Sequence, residues 1–194
     1  IRDEAVYRRT VDELPQSAAG RTIMTTEPKF IPEESVEINL GCNTTFNVRM
    51  IDCVGYIVNS AIGYSEEDEP RMVKTPWSNE AIPFDDAAEI GTKKVITDHS
   101  TIGLVITTDG TISDIPREDY IESEKRVINE LKAINKPFII LLNSVDPTAD
   151  ETIRMSNEMT AEYKVPVIPV SCMELDETEI KRILAQLLFE FPIR

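Results

Sequence analysis

Residues 101–143 read TIGLVITTDGTISDIPREDYIESEKRVINELKAINKPFIILLN. TIGLVIT is a compact apolar run, the pattern of a strand buried on both faces. TDGT is a turn. From Glu118 to Asn135, apolar residues recur at Ile121, Val127, Ile128, Leu131 and Ile134, on or near one helical stripe. PFIILLN repeats the buried-strand pattern. The same alternation continues downstream. Glu151–Tyr163 reads as a helix, VPVIPV as a third strand interrupted by proline, and Asp176–Phe189 as a closing helix with an acidic start. Strand, helix, strand, helix, strand, helix predicts an α/β fold: a parallel sheet with helices on both faces.

Upstream the pattern changes. Val6, Val11 and Leu14 are helically spaced within residues 3–14, and Pro15 closes that stretch. Residues 15–35 read as a loop punctuated by Pro15, Gly20, Pro28 and Pro32. SVEINL and TFNVRMI alternate with period two around Gly41–Asn43, which predicts a β-hairpin. Residues 55–83 read as a long irregular segment, of a length that is often functional. Helical spacing resumes over Phe84–His99. No repeat or second domain is legible, so residues 1–194 read as one domain.

The formal net charge is −15, with 41% hydrophobic and 28% charged residues. An acidic surface cannot replace the counterions of a polyanion, so a nucleic-acid partner is excluded. Docking on an anionic membrane by charge alone is excluded for the same reason. A triphosphate would need a local cation beside it. Cys42, Cys53 and Cys172 are too few and too widely spaced for a disulfide framework or a zinc site, which points to a reducing, cytoplasmic setting. No apolar run is long enough for a membrane span. The start, IRDEAVYRRT, has no secretory pattern and reads as the interior of an excised fragment.

In open α/β sheets, ligands sit at the carboxyl ends of strands. Four stretches fall there or beside it. Asp52-Cys53-Val54-Gly55 follows an apolar strand. An aspartate in that place suits magnesium, and a glycine three residues on lets the backbone approach a terminal phosphate. Equally, it is an ordinary aspartate turn. Thr22–Pro28, with Thr25 and Thr26, offers hydroxyls to magnesium and amides to a γ-phosphate, or merely caps its own backbone. Asn143-Ser144-Val145-Asp146 resembles the base-reading N-K-x-D with serine in place of lysine. Asp146 suits the two donors on guanine's edge better than adenine's donor–acceptor pair. The bland reading is an Asn/Asp turn. Ser171-Cys172-Met173 lies where a short loop meets the base. A phosphate-binding G-x-x-x-x-G-K-[ST] is absent from the chain. The fragment alone is therefore expected to bind nucleotide weakly and not to hydrolyse it.

With these stretches in order, the chain resembles the stage IV sporulation protein A family, across nearly its whole length. DELPQSAAGRTIMTTEPKF (12–30), DCVGY (52–56), TPW (75–77), AAEIGTKKVI (87–96), HSTIGLVITTDGTI (99–112) and FEFP (189–192) carry the resemblance. It implies a three-layer P-loop NTPase-like fold of the translation-factor GTPase type, with the first strand and P-loop missing. It implies ATP, with GTP less suited, and magnesium. Hydrolysis would drive assembly of a static polymer at the base of the spore coat, in the mother-cell cytoplasm at the forespore's outer surface. The implied partners are the protein itself and, through regions outside this chain, a small amphipathic membrane-bound peptide and other coat proteins. The implied roles are Asp52 as the magnesium-holding acid and Thr25 or Thr26 as the sensor threonine, with Thr26 a second metal ligand. Gly55, Asn143, Asp146 and Ser171 would line the nucleotide. Segments 15–35 and 55–83 would be switch-like. Two other readings stay open: a structural module with a vestigial site, and a GTPase switch.

Remaining residues carry simpler readings. Gly110 suits a tight turn, although Thr107–Thr111 also lies at the ligand edge. His99 suits a helix C-terminus. Trp77 reads as packing, Glu66–Glu69 as a solvated acidic run, and Cys53 as a small buried hydrophobe.

Overall fold

The computed structural model describes residues 8, 29–41, 44–61, 65–66, 69–75 and 78–191. Apart from Arg8, which is helical, the expected helix over 3–14 lies outside them, as do the Thr22–Pro28 stretch with Thr25 and Thr26, Cys42 and Trp77. Two compact units are present: 1–57 with 61–99, and 58–60 with 100–194.

In the first unit, β1 (Lys29–Gly41) and β2 (Thr44–Asp52) form an antiparallel hairpin. β2 alternates half-buried Phe46 and Val48 with exposed neighbours, as a sheet with one wet face requires. Arg49 lies over the Phe30 ring, 4.0 Å from its centroid. β1 begins before residue 35, inside the expected loop. Pro32, expected to punctuate that loop, falls where the register slips between Ile31 and Val36. A bulge there accommodates a residue that donates nothing to the ladder.

The expected irregular segment contains β3 (Ser65–Glu66) paired with β4 (Glu69–Pro70), and β5 (Met72–Thr75) paired with β6 (Ser78–Pro83). β3 and β4 are too short to show a period, and the polar SNE of β6 breaks any apolar pattern. Helix α1 (Phe84–Lys94) starts with Asp85 and Asp86 and ends with Lys93 and Lys94, each charge complementing the helix dipole. Phe84, Ala87, Ala88 and Gly91 form its buried side. The helical stretch does not continue regularly to His99. Val95–His99 is a single π turn.

The second unit holds β7 (Gly103–Thr108), α2 (Arg117–Ala133), β8 (Phe138–Asn143), α3 (Asp150–Tyr163), β9 (Val167–Val170) and α4 (Glu177–Phe189). Its sheet is parallel in the order β7-β8-β9. Ile139, Leu141 and Val170 pack against Ile183 and Leu187 of α4. The alternate residues Phe138, Ile140 and Leu142 point to the opposite face and are also buried. Gly103 admits Leu131 of α2 there. A Cβ on Gly103 would lie 3.0 Å from Phe138 Cβ and 3.3 Å from Leu131.

The protein is thus mixed α/β with helices on both faces of a parallel sheet. The expected parallel sheet is β7-β8-β9, and among the described residues three antiparallel pairs accompany it. β2 belongs to an antiparallel pair, so the expectation that Asp52 ends a parallel-sheet strand is not met there. Alternating strands that keep one face exposed carry no marker of parallel pairing.

Candidate functional site

The carboxyl edge of β7-β8-β9 carries three loops, and each is bonded to its neighbour. Asn143, the last residue of β8, is half-buried. Its Oδ1 accepts the Cys172 amide of the loop after β9 at 2.9 Å. The Ser144 amide donates to Val170 O at 2.9 Å. Asn143 is thereby a brace between loops. Ser171 lies half-buried at the start of the β9 loop, and its carbonyl accepts the Glu174 amide.

Asp146 is exposed. Its Oδ1 accepts both the Thr148 amide at 3.0 Å and the Thr148 hydroxyl at 2.7 Å. These bonds hold its carboxyl below the ordinary aspartate range. Ser144, in the lysine position of N-K-x-D, is 1% exposed and cannot reach a ligand. Its hydroxyl accepts the Asp146 amide at 3.1 Å and lies 3.3 Å from the Thr152 hydroxyl.

The loop after β7 completes the edge. Gly110 takes φ 93°, and a Cβ there would lie 3.0 Å from the Arg117 amide nitrogen. Both facts call for glycine. Asp109 Oδ1 accepts the Thr111 amide at 3.0 Å and the Thr111 hydroxyl at 2.6 Å, while Oδ2 accepts from the Thr152 hydroxyl at 3.3 Å. Partial burial alone would push the Asp109 carboxyl up. Bonds from Ser144, Thr111 and Thr152 outweigh it and hold the group below its ordinary range. The Thr111 hydroxyl in turn accepts the Val145 amide at 3.0 Å.

Behind this edge lies a buried ionic cluster. Arg117 NH1 is 2.7 Å from Glu124 Oε2 and donates to Thr107 Oγ1 at 3.2 Å. Its NH2 donates to Glu124 Oε1 at 2.9 Å. Tyr163 of α3 donates its hydroxyl to the same Oε1 at 2.6 Å. Four residues from β7, α2 and α3 are locked together beneath the loops.

In the first unit, Asp52 ends β2 with an exposed side chain. Even so, partial desolvation pushes its carboxyl up, against a weaker opposing bond from the Cys53 amide. Gly55 takes φ 79°, and a Cβ there would meet nothing within 4 Å. The backbone therefore turns in a conformation that favours glycine, beside open space. Burial raises the Cys53 thiol, consistent with a packed rather than a reactive cysteine.

Residues 1–192 match the family described as stage IV sporulation protein A, ATPase domain. The chain belongs to this family. It is 55% identical over 193 residues to stage IV sporulation protein A of Bacillus anthracis and 53% identical to that of Bacillus subtilis (strain 168). The Clostridioides difficile (strain 630) relative is 50% identical. Each match covers 100% of this chain and 39% of the relative, so the chain spans about two fifths of those relatives' length.

Membership in an ATPase-domain family implies a nucleotide, with a metal to offset its charge. Asp52 fits the metal's chemistry in part, being an accessible carboxylate beside an open glycine turn. One carboxylate with water and phosphate oxygens is an ordinary magnesium set. The second expected ligand, Thr26, lies outside the described residues, as does Thr25. Asn143, Asp146 and Ser171 are brought to one edge. Asp109 and Thr111 fall within Thr107–Thr111, which the sequence places at the ligand edge. Thr152, inside a helix, carries no such signal. No helix among the described residues is long and apolar enough to cross a membrane.

Proposed function

We propose that this chain is the NTPase-like domain of a sporulation ATPase. Residues 1–194 form one domain of the three-layer P-loop NTPase type, completed by an upstream strand and phosphate loop. The observation that carries this reading is the interlocked set of loops at the carboxyl edge of β7-β8-β9, in a chain of an ATPase-domain family. The reaction is attack of water on the γ-phosphorus of ATP, releasing ADP and phosphate. Asp52 would hold magnesium at the phosphates, and Thr25 or Thr26 would position the water. The metal supplies charge neutralisation on the phosphate oxygens. Gly55 gives the backbone room to approach the terminal phosphate. Asn143, Asp146 and Ser171 present the base-side edge.

ATP is favoured over GTP by one feature of Asp146. Both acceptor sites of its Oδ1 are taken by Thr148. A carboxylate accepting guanine's two donors side by side needs both oxygens. Hydrolysis would be coupled to self-assembly into a static polymer beneath the spore coat. The place would be the mother-cell cytoplasm, with the membrane peptide and coat proteins meeting regions outside this chain. The charge of −15 supports the exclusion of nucleic acid.

The test is turnover of ATP and GTP by the full-length protein and by its Asp52→Asn and Asp146→Ala variants. The expected result is ATP preference in the parent, loss of at least about a hundredfold in kcat for Asp52→Asn, and unchanged base preference for Asp146→Ala. A parent that neither binds nor hydrolyses nucleotide would support the vestigial, structural reading. A GTP preference lost in Asp146→Ala would support the GTPase switch.

A further inference from the structure

The geometry points to Asp109 and Thr111 as positioning residues of the base-side loop, acting through the backbone amides of Val145 and Asp146. This rests on the nucleotide-site reading above and names a part of that site which lies outside its motifs.

Three hydroxyls, those of Thr111, Thr152 and Ser144, link Asp109 to the two amides. Thr111 Oγ1 is 2.6 Å from Asp109 Oδ1 and 3.0 Å from the Val145 nitrogen. A hydroxyl has one hydrogen, and an amide can only donate. The Thr111 hydrogen therefore goes to the carboxylate, and its lone pair takes the Val145 N–H. A second relay runs through Thr152 of α3. Its hydroxyl donates to Asp109 Oδ2 at 3.3 Å, which leaves its lone pair for the Ser144 hydroxyl 3.3 Å away, and Ser144 in turn accepts the Asp146 N–H at 3.1 Å. One carboxylate thus orients the acceptors of two consecutive amides in the segment that bears Asn143 and Asp146.

Bonds in such a chain polarise one another, so the ionised carboxylate makes the Thr111 and Ser144 hydroxyls better acceptors. The Asp109 amide also donates to Asn143 O at 3.3 Å, so the two loops are tied through backbone as well. With Val145 and Asp146 held, the base-side loop is preorganised before a ligand arrives. Preorganisation lowers the ordering cost of binding and leaves a remote chemical step untouched. The signature is a change in KM without a change in kcat.

The full-length protein, Thr111→Val and Thr111→Ser are compared by two measurements. The first is hydrogen exchange over residues 143–146 without nucleotide. The second is steady-state ATP turnover. Thr111→Val keeps the shape and removes the hydroxyl. It is expected to speed exchange at Val145 about tenfold and to raise KM about tenfold, with kcat within about twofold. Thr111→Ser is expected to restore both. Thr111 is exposed, so the core is preserved, and a thermal melt on each variant checks this. Unchanged exchange in Thr111→Val overturns the clamp. Faster exchange with unchanged KM overturns its role in binding while leaving the ATPase reading intact. If the parent shows no nucleotide binding, the ATPase reading itself fails and this proposal with it, whatever the exchange data show.

Discussion

The hairpin β1–β2 and the sheet β7-β8-β9 are built from similar apolar residues and end up in opposite conditions. β8 buries Phe138, Ile139, Ile140, Leu141 and Leu142 in succession. In β2 no residue is fully buried. Helices lie on both faces of β8, whereas alternation in β2 leaves one face wet. A continuous apolar run and an alternating one therefore differ in more than degree. The first requires cover on two sides, and the second on one. The second unit also buries charge. The Arg117–Glu124–Tyr163 cluster closes its bonds internally, so its cost is met only while every member is present.

The largest contrast is expected from breaking that cluster. Arg117→Ala leaves Glu124 buried with Tyr163 alone, and unfolding in urea should show a loss of about 3–5 kcal/mol. A loss under about 1 kcal/mol would mean that water reaches Glu124 and that the second unit is less closed than described.

The same substitution in both regions sharpens the comparison. Ile140→Ala, at a residue 0% exposed, is expected to cost about 2–5 kcal/mol. Ile38→Ala, at a half-buried site in β1, is expected to cost about 1 kcal/mol, because water already reaches the side chain. Equal losses would show that the hairpin is covered on both faces in solution.

The smallest effect is a dependence on pH. Burial, then the bond to Glu124, pushes the Tyr163 hydroxyl above its ordinary value near 10. The folded chain then holds this proton more tightly than the unfolded chain. Its contribution is complete below about pH 10 and is lost as pH rises through the higher folded value. Tyr163→Phe should flatten that alkaline decline and cost about 1–2 kcal/mol at neutral pH, read from thermal melts across pH. An alkaline decline unchanged in Tyr163→Phe would assign it to other groups.

Much of the second unit was legible. The expected helix Glu118–Asn135 anticipated α2, and PFIILLN anticipated β8, each within two residues of its limits. Long periodic segments are specified locally. The strands β3 to β6 were not legible, because β3 and β4 are single pairs of residues and neither MVKT of β5 nor SNEAIP of β6 is a continuous or alternating apolar run. The π turn at Val95–His99 was also not legible, since it continues helical spacing with a different hydrogen-bond step. At the candidate site, the position of Asn143 and Asp146 after a strand was read directly. Their bracing was not. Thr111 meets Val145 across 34 residues, and Thr152 meets Asp109 across 43.

By itself, the sequence determined the alternation of strand and helix, the acidic surface and the family to which the chain belongs. These are properties of composition, period and residue identity, which need no partner. Tertiary structure alone decided that Ser144 turns inward, that Asn143 braces the loop after β9, and that Thr111 joins Asp109 to the Val145 amide of another loop. The physical reason is that a hydrogen bond needs two groups within about 3 Å. Chain folding, not chain order, brings the ends of β7 and β8 that close.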